Sequence, residues 1–240
     1  ALPNFWFRHL PAKNPSLRHH LVETNVEQFP EPLREFGEQL EGRAVLVWKT
    51  RVIPVECVVR GYITGSGWKD YQRTGQVSGI PLPPGLRQCE RLADPLFTPS
   101  TKAAAGHDEP ISFAAAAAEV GETLLGKCRT LSLQLYQQAA AYALERGILL
   151  ADTKFEFGVL PGAPENPVLI DEALTPDSSR FWPAGGYAPG RDQPSFDKQY
   201  LRNYLETLAW NKTPPGPELP SDVVANTRAK YQEAYDRLTR

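Results

Sequence analysis

Apolar residues recur at steps of four and three through Val120, Leu124, Cys128, Leu131, Leu135, Ala139 and Tyr142. That is the period of a helix with one buried face. Ser112 is placed to cap its start, and Gly147 after Arg146 to end it. One long helix is therefore expected between them. The period then changes. Ile148-Leu149-Leu150 leads into a segment in which Asp152, Lys154 and Glu156 alternate with Thr153, Phe155 and Phe157. Alternation places the three charges on one face of a strand. After a turn-rich connection over 161–167, Val168-Leu169-Ile170 opens a second strand that should pair with the first as an antiparallel hairpin.

Other signals are shorter. Leu2 to Phe7 reads as a helix end packed on the core. Val45-Leu46-Val47-Trp48 and the Val-rich run over 52–60 predict a two-strand unit joined near Lys49-Thr50-Arg51. Residues 61–110 are rich in Gly and Pro and predict long ordered loops. A helix over about 196–210 carries Tyr200, Tyr204 and Leu208, and Thr213-Pro214-Pro215-Gly216-Pro217 breaks it. A last helix after Ser221-Asp222 should present Val224, Thr227, Tyr231, Tyr235 and Leu238 on one face. There is no internal repeat.

Composition narrows the class. With 240 residues the chain can bury a full core as one large domain or two lobes, and 41% hydrophobic content is ordinary for a globular protein. A net charge of -2 without a basic stripe argues against a nucleic-acid or membrane-surface partner. No apolar run approaches the length of a membrane span. Cys57, Cys89 and Cys128 are odd in number and far apart, which fits reduced thiols of a cytoplasmic protein. His9, His19, His20 and His107 show no ligand spacing.

The chemistry concentrates on carboxylates. Asp152 and Glu156, joined by Asp171, Glu172 and Asp177 from the following strand and loop, need a cation to offset burial. Mg²⁺ carrying a nucleotide suits such a site, because it takes one or two carboxylates plus phosphate oxygens. Arg60 ends a strand that runs into the Gly61 to Ser66 loop, where backbone N–H groups, a hydroxyl and a guanidinium together suit a phosphate. The blander alternative there is a surface Arg beside a turn. Thr98-Pro99-Ser100-Thr101-Lys102 and Gly106-His107-Asp108-Glu109 taken alone read as solvated polar loops.

Several long motifs extend this. Pro54-x-Glu56-x-Val58-Val59-Arg60-Gly61-Tyr62-x-Thr64-Gly65-Ser66-x-Trp68-Lys69, Phe97 to Lys102, Gly106 to Glu109, Ala151 to Gly158, and Asp171-Glu172-x-Leu174-Thr175-Pro176-Asp177-Ser178-Ser179-Arg180-Phe181-Trp182 run in order through the chain. Together with Asp197 to Arg202 and Thr227 to Tyr231, they resemble the SAICAR synthetase family, in its fungal-type single-function form. The resemblance implies an α+β fold of two lobes. Residues 1–50 would be the remainder of a kinase-like nucleotide-binding lobe and 51–240 a larger lobe, with ATP in the cleft between them. It implies ATP-dependent joining of carboxyaminoimidazole ribotide (CAIR) to L-aspartate in purine synthesis, through an acyl phosphate. By position it implies that Arg60, Ser66 and Arg180 hold the ribotide phosphate. Glu156 and Asp171 would hold Mg²⁺ and the ATP phosphates, with Asp152 and Lys154 neutralising charge or handling protons. Lys49 to Val52 would line the adenine pocket. Lys102, His107, Asp108 and Asp177 would contact CAIR or aspartate. The implied partners are small molecules only, and the implied state is a monomer or small homo-oligomer.

One feature of the family pattern is missing. The resemblance implies an opening glycine loop over the ATP phosphates, yet the only glycines before Arg60 are Gly37 and Gly42, and neither precedes a Lys. A preceding segment is therefore expected, and an intact mass above 26.7 kDa would reveal it. Two other readings compete. One is a non-catalytic ribotide-binding fragment, and the other is a different ATP-dependent carboxylate–amine ligase.

Overall fold

The computed structural model describes residues 2–14, 16–102, 109–196 and 198–240. His107 and Asp108, named above as substrate contacts, lie outside them. The described strands are β1 (Leu21–Glu23), β2 (Leu46–Val47), β3 (Arg51–Val52), β4 (Val55–Tyr62), β5 (Gln76–Val77), β6 (Ile80–Pro81), β7 (Arg91–Phe97), β8 (Ser100–Thr101), β9 (Ile148–Val159), β10 (Pro167–Ile170) and β11 (Ser179–Pro183). The α-helices are α1 (Leu2–Lys13), α2 (Glu31–Arg34), α3 (Gly37–Leu40), α4 (Gly65–Thr74), α5 (Phe113–Val120), α6 (Glu122–Leu144), α7 (Gln199–Glu206) and α8 (Ser221–Thr239). The result is a mixed α+β fold built on antiparallel strands.

β9 organises it. Along one edge it pairs with β4 and then β3, and along the other with β11 and then β10, all antiparallel. β10 and β11 are thus successive segments of one edge, and residues 171–178 loop out between them. The hairpin of β9 with β10 is as expected, with Ile170 opposite Glu156. Where β11 pairs with β9, the register steps from Asp152 to Leu150, leaving Ala151 as an extra residue. That bulge changes which parity faces the core. Ile148 and Leu150 enter the main hydrophobic core beside Phe155 and Phe157, while Asp152, Lys154 and Glu156 face away from it.

α6 covers the core face with Leu125, Cys128, Leu135 and Ala139, and Leu2, Trp6, Phe7 and Leu10 of α1 join the same core. All three cysteines are buried and free. Among the described residues no helix is long and apolar enough to cross a membrane.

Four local expectations need correction. The long helix is two, because Gly121 at φ 91° leaves the helical region and separates α5 from α6. Ser112 does cap the first, accepting the Ala115 N–H at 3.2 Å. The runs around 45–48 and 52–60 do not form a hairpin. β2 pairs with β1, while β3 and β4 pair with β9, which offers a long and largely buried edge. α7 is shorter than 196–210, spanning Gln199–Glu206. α8 buries Val223, Ala234 and Leu238, leaving Val224 and Tyr235 exposed, so its inner face is turned by about one residue from the expected stripe.

Candidate functional site

The polar face of β9 and the loop at its edge assemble three clusters. The first centres on Asp152, which is buried. Its Oδ2 accepts from Nη1 of Arg60 at 3.3 Å and from Nη1 of Arg180. Arg60 also donates through Nε to Thr98 Oγ1 at 3.0 Å and through Nη2 to Ser66 Oγ at 3.1 Å. Burial pulls the Arg60 guanidinium below its ordinary value, and the charge of Asp152 opposes that. Ser66 lies in the first turn of α4, whose preceding Thr64 makes no side-chain cap. The N–H groups of that turn add a partial positive charge on the same side as the two arginines.

The second cluster is a row of alternating charge. The Lys154 ammonium bonds to Glu56 and to Glu156 Oε1, the latter at 3.2 Å, and Lys102 bonds to the other oxygen of Glu156. Ser100 Oγ donates to Glu56 Oε2 at 3.3 Å. Burial alone would raise Glu156, but the two lysines outweigh it and hold its carboxyl below the usual range. Burial alone would lower Lys154, and the bonds to Glu56 and Glu156 hold it above its ordinary value.

The third group comes from the loop over 171–178. Leu174, fully buried at φ 57°, and Ala173 anchor it in the core. Thr175 and Ser178 close it, with Thr175 N–H on Ser178 Oγ at 3.1 Å and Asp177 N–H on Thr175 Oγ1 at 3.2 Å. Lys154 N–H donates to the Ser178 carbonyl at 2.8 Å, which ties the loop to β9. Asp177 Oδ1 accepts from the Tyr231 hydroxyl of α8 at 3.2 Å.

Two cavities meet at this loop. One of about 310 Å³ is lined by Asp152, Lys154, Asp177, Arg180, Lys198 and Arg202, together with Glu172. The other, about 1160 Å³, is lined by Asp171, Glu172, His20, Val45 and Val47 among others. Glu172 therefore stands between them. Burial raises its carboxyl, and the charges of Asp177 and Asp171 add to the effect. Burial likewise lowers His20, against the opposing influence of Asp171. Asp171 takes φ 59°, a conformation Asp tolerates better than most residues, and it forms no ion pair with a described residue.

The structure thus brings Arg60, Ser66, Asp152 and Arg180 into one cluster and Lys102, Lys154 and Glu156 into a second, with Asp171 and Asp177 on the adjoining loop. Lys49 and Val52 do not join them. The larger cavity is lined by Val45 and Val47 instead, and Val52 pairs with Gly158 at the far end of β9. Glu172 was expected among the carboxylates, whereas Glu56, Lys198 and Arg202 were not singled out from sequence. Each lies inside one of the quoted motifs, and the i, i+4 spacing of Lys198 and Arg202 marks one face of a helix.

No three or more His, Cys, Asp or Glu side chains gather as a metal cage among the described residues. Glu156 and Asp171 nevertheless offer hard oxygen donors at neighbouring positions of the sheet, since Asp171 follows the residue paired with Glu156. That donor set fits a cation which shares its coordination with phosphate oxygens and water.

A family model described as SAICAR synthetase matches residues 1–217. The chain is 58% identical over 239 residues to the phosphoribosylaminoimidazole-succinocarboxamide synthase of Methylococcus capsulatus, covering 98% of this chain and 77% of that protein. It is 55% identical to the protein of the same name from Desulfosudis oleivorans, covering 98% and 78%. The solved structure of SAICAR-synthase from Saccharomyces cerevisiae complexed with SAICAR superposes with a TM-score of 0.86 at 45% identity, covering 99% of this chain and 79% of that one.

Proposed function

Because the chain belongs to the SAICAR synthetase family, we propose that the polar face of β9 and the loop over 171–178 carry its reaction. That reaction is the ATP-dependent ligation of CAIR and L-aspartate in purine biosynthesis. The observation that supports this placement is Asp152 accepting from both Arg60 and Arg180, beside Ser66 at the start of α4.

The chemistry follows from charge. A free carboxylate is a poor acyl donor. Transfer of the terminal phosphoryl of ATP to a CAIR carboxylate oxygen breaks the bond to ADP and makes an acyl phosphate. The aspartate amine then attacks the carbonyl carbon, phosphate leaves, and the nitrogen loses its proton. Arg60, Ser66 and Arg180 bind the ribotide phosphate. The two planar guanidiniums and the hydroxyl suit phosphate, and the carboxylate of Asp152 bonds to both guanidiniums. With its oxygen already shared by two cations, Asp152 serves for alignment rather than as a base. Lys154, at the rim of the smaller cavity, stabilises charge on the transferring group. Lys102 and Asp177 flank the same site. Asp171 and Glu156 would hold Mg²⁺, which supplies charge neutralisation at the phosphate oxygens. Glu156 is paired with Lys102 and Lys154 here, so Asp171 is the more open donor.

The larger cavity takes the nucleotide, with residues 1–50 forming much of its wall as part of a nucleotide-binding lobe and 51–240 forming the larger lobe. Lys49 and Val52 stand outside the lining of that cavity, so Val45 and Val47 take the place expected of them. The enzyme works in the cytoplasm on small molecules, as a monomer or small homo-oligomer.

The test is ADP release from Mg-ATP and CAIR with and without L-aspartate. Aspartate-dependent release with SAICAR as product supports the reading. CAIR binding without turnover sinks it in favour of a ribotide-binding fragment.

A further inference from the structure

Glu56 is a buried carboxylate behind the site. It lines neither the 310 Å³ nor the 1160 Å³ cavity. The β4–β9 register pairs Cys57 with Phe155, so Glu56 comes opposite Glu156 on the next rung. Two like charges directly opposed across a sheet destabilise it unless a cation lies between them. Lys154 supplies that cation from the diagonal position, bonding to both. About a third of its side chain is exposed, and it lines the smaller cavity. Glu56 is itself fixed by the Ser100 hydroxyl. A flexible four-carbon side chain with three donors has little orientation of its own, so its position is set by what it bonds to.

We infer that Glu56 is a positioning residue for Lys154, holding the ammonium at the cavity rim without touching substrate. The inference rests on the role given to Lys154 above. Removing the Glu56 charge leaves Lys154 with Glu156 alone and releases the ammonium from its fixed place at the cavity rim.

The experiment is a double-mutant cycle on the full chain with Mg-ATP, CAIR and L-aspartate, using Glu56→Gln, Lys154→Met and the pair. Glu56→Gln should lower kcat by about tenfold or more while each KM stays within about threefold. The double variant should be no slower than Lys154→Met alone, because the two residues act as a unit. Glu56→Asp, which keeps the charge but shortens the arm, should retain more activity than the isosteric but neutral Gln. Packing alone predicts the reverse order. Multiplicative losses in the cycle, or a raised KM for CAIR with unchanged kcat, overturn the inference. If Glu56→Gln does not fold, the cycle is run with Glu56→Asp, whose smaller loss of kcat must vanish in the Lys154→Met background. Absent turnover by the wild type would instead refute the proposed function. A fully active Lys154→Met would overturn the role of Lys154 and this inference with it.

Discussion

A Cβ placed on Gly65 would lie 2.6 Å from Nη2 of Arg180, and Gly65 holds φ at +56°. Both conditions favour glycine there: the left-handed backbone, and a guanidinium lying against the turn that opens α4. The backbone at the mouth of the helix and the arginine of β11 are therefore fitted to each other.

Gly65→Ala should accordingly act on Arg180. The left-handed conformation itself costs about 1–2 kcal/mol for a residue with a Cβ. The larger effect is displacement of a phosphate-binding group. KM for CAIR should rise about tenfold or more, with KM for aspartate nearly unchanged, since a 1 Å misplacement can cost far more than the strain. Steady-state titration of each substrate checks this, and an equal rise in both constants would count against a phosphate role for Arg180.

Asp152→Asn tests the shared carboxylate. The substitution keeps shape but removes the charge that two buried or half-buried guanidiniums face. Breaking a buried pair by removing one partner costs about 3–5 kcal/mol in stability. Partial exposure of Arg180 reduces its share. Denaturant unfolding should show a loss near the lower end of that range, and kcat/KM for CAIR should fall about a hundredfold. If activity survives intact, Asp152 aligns nothing that matters.

Behind the site, Gly61 and Tyr136 form a second close fit. A Cβ on Gly61 would fall 1.8 Å from the Tyr136 hydroxyl, which donates to the Leu150 carbonyl at 2.7 Å. Tyr136→Phe loses one buried hydrogen bond, so stability should drop by about 1 kcal/mol with substrate KM values unchanged. Gly61→Ala in the wild-type background must push the ring aside and should cost more. The double variant should recover part of the loss, because the hydroxyl is what the methyl meets. Thermal melts of the three variants read this out, and strict additivity would contradict it.

These contacts mark what the sequence could and could not reveal. The charged alternation of Asp152, Lys154 and Glu156 was legible, because a strand with a two-residue period leaves no other choice of face. Its hairpin partner was legible for the same reason. The Ala151 bulge was not, since an extra residue in a strand leaves no mark on composition, yet it decides which parity faces the core. The break at Gly121 was hidden inside an apolar stripe that continues through it. The partners of β2 and β3 were hidden because short apolar runs carry no record of which edge they meet. The motifs placed Arg60, Ser66 and Arg180 in one list. Only the fold shows that a single carboxylate oxygen joins the two arginines.

The lysine–glutamate row gives a pH dependence whose sign can be worked out. Glu156 has a lowered carboxyl, because Lys102 and Lys154 outweigh its burial. Its contribution is fully present above the unfolded value of about 4.3 and is lost as pH falls through the lower, folded value. Lys154 is held above its ordinary value by Glu56 and Glu156 against its own desolvation. Its contribution is present below about pH 10.4 and is lost only as pH rises through the higher, folded value. Across neutral pH both are therefore constant. Glu156→Gln should be less stable than wild type by the same margin from about pH 6 to pH 8, and the margin should close as pH drops below about 4. Urea midpoints for the two proteins across that range measure it directly. A margin that stays constant down to about pH 3 would mean that Glu156 is not held ionised by its lysines in the folded chain.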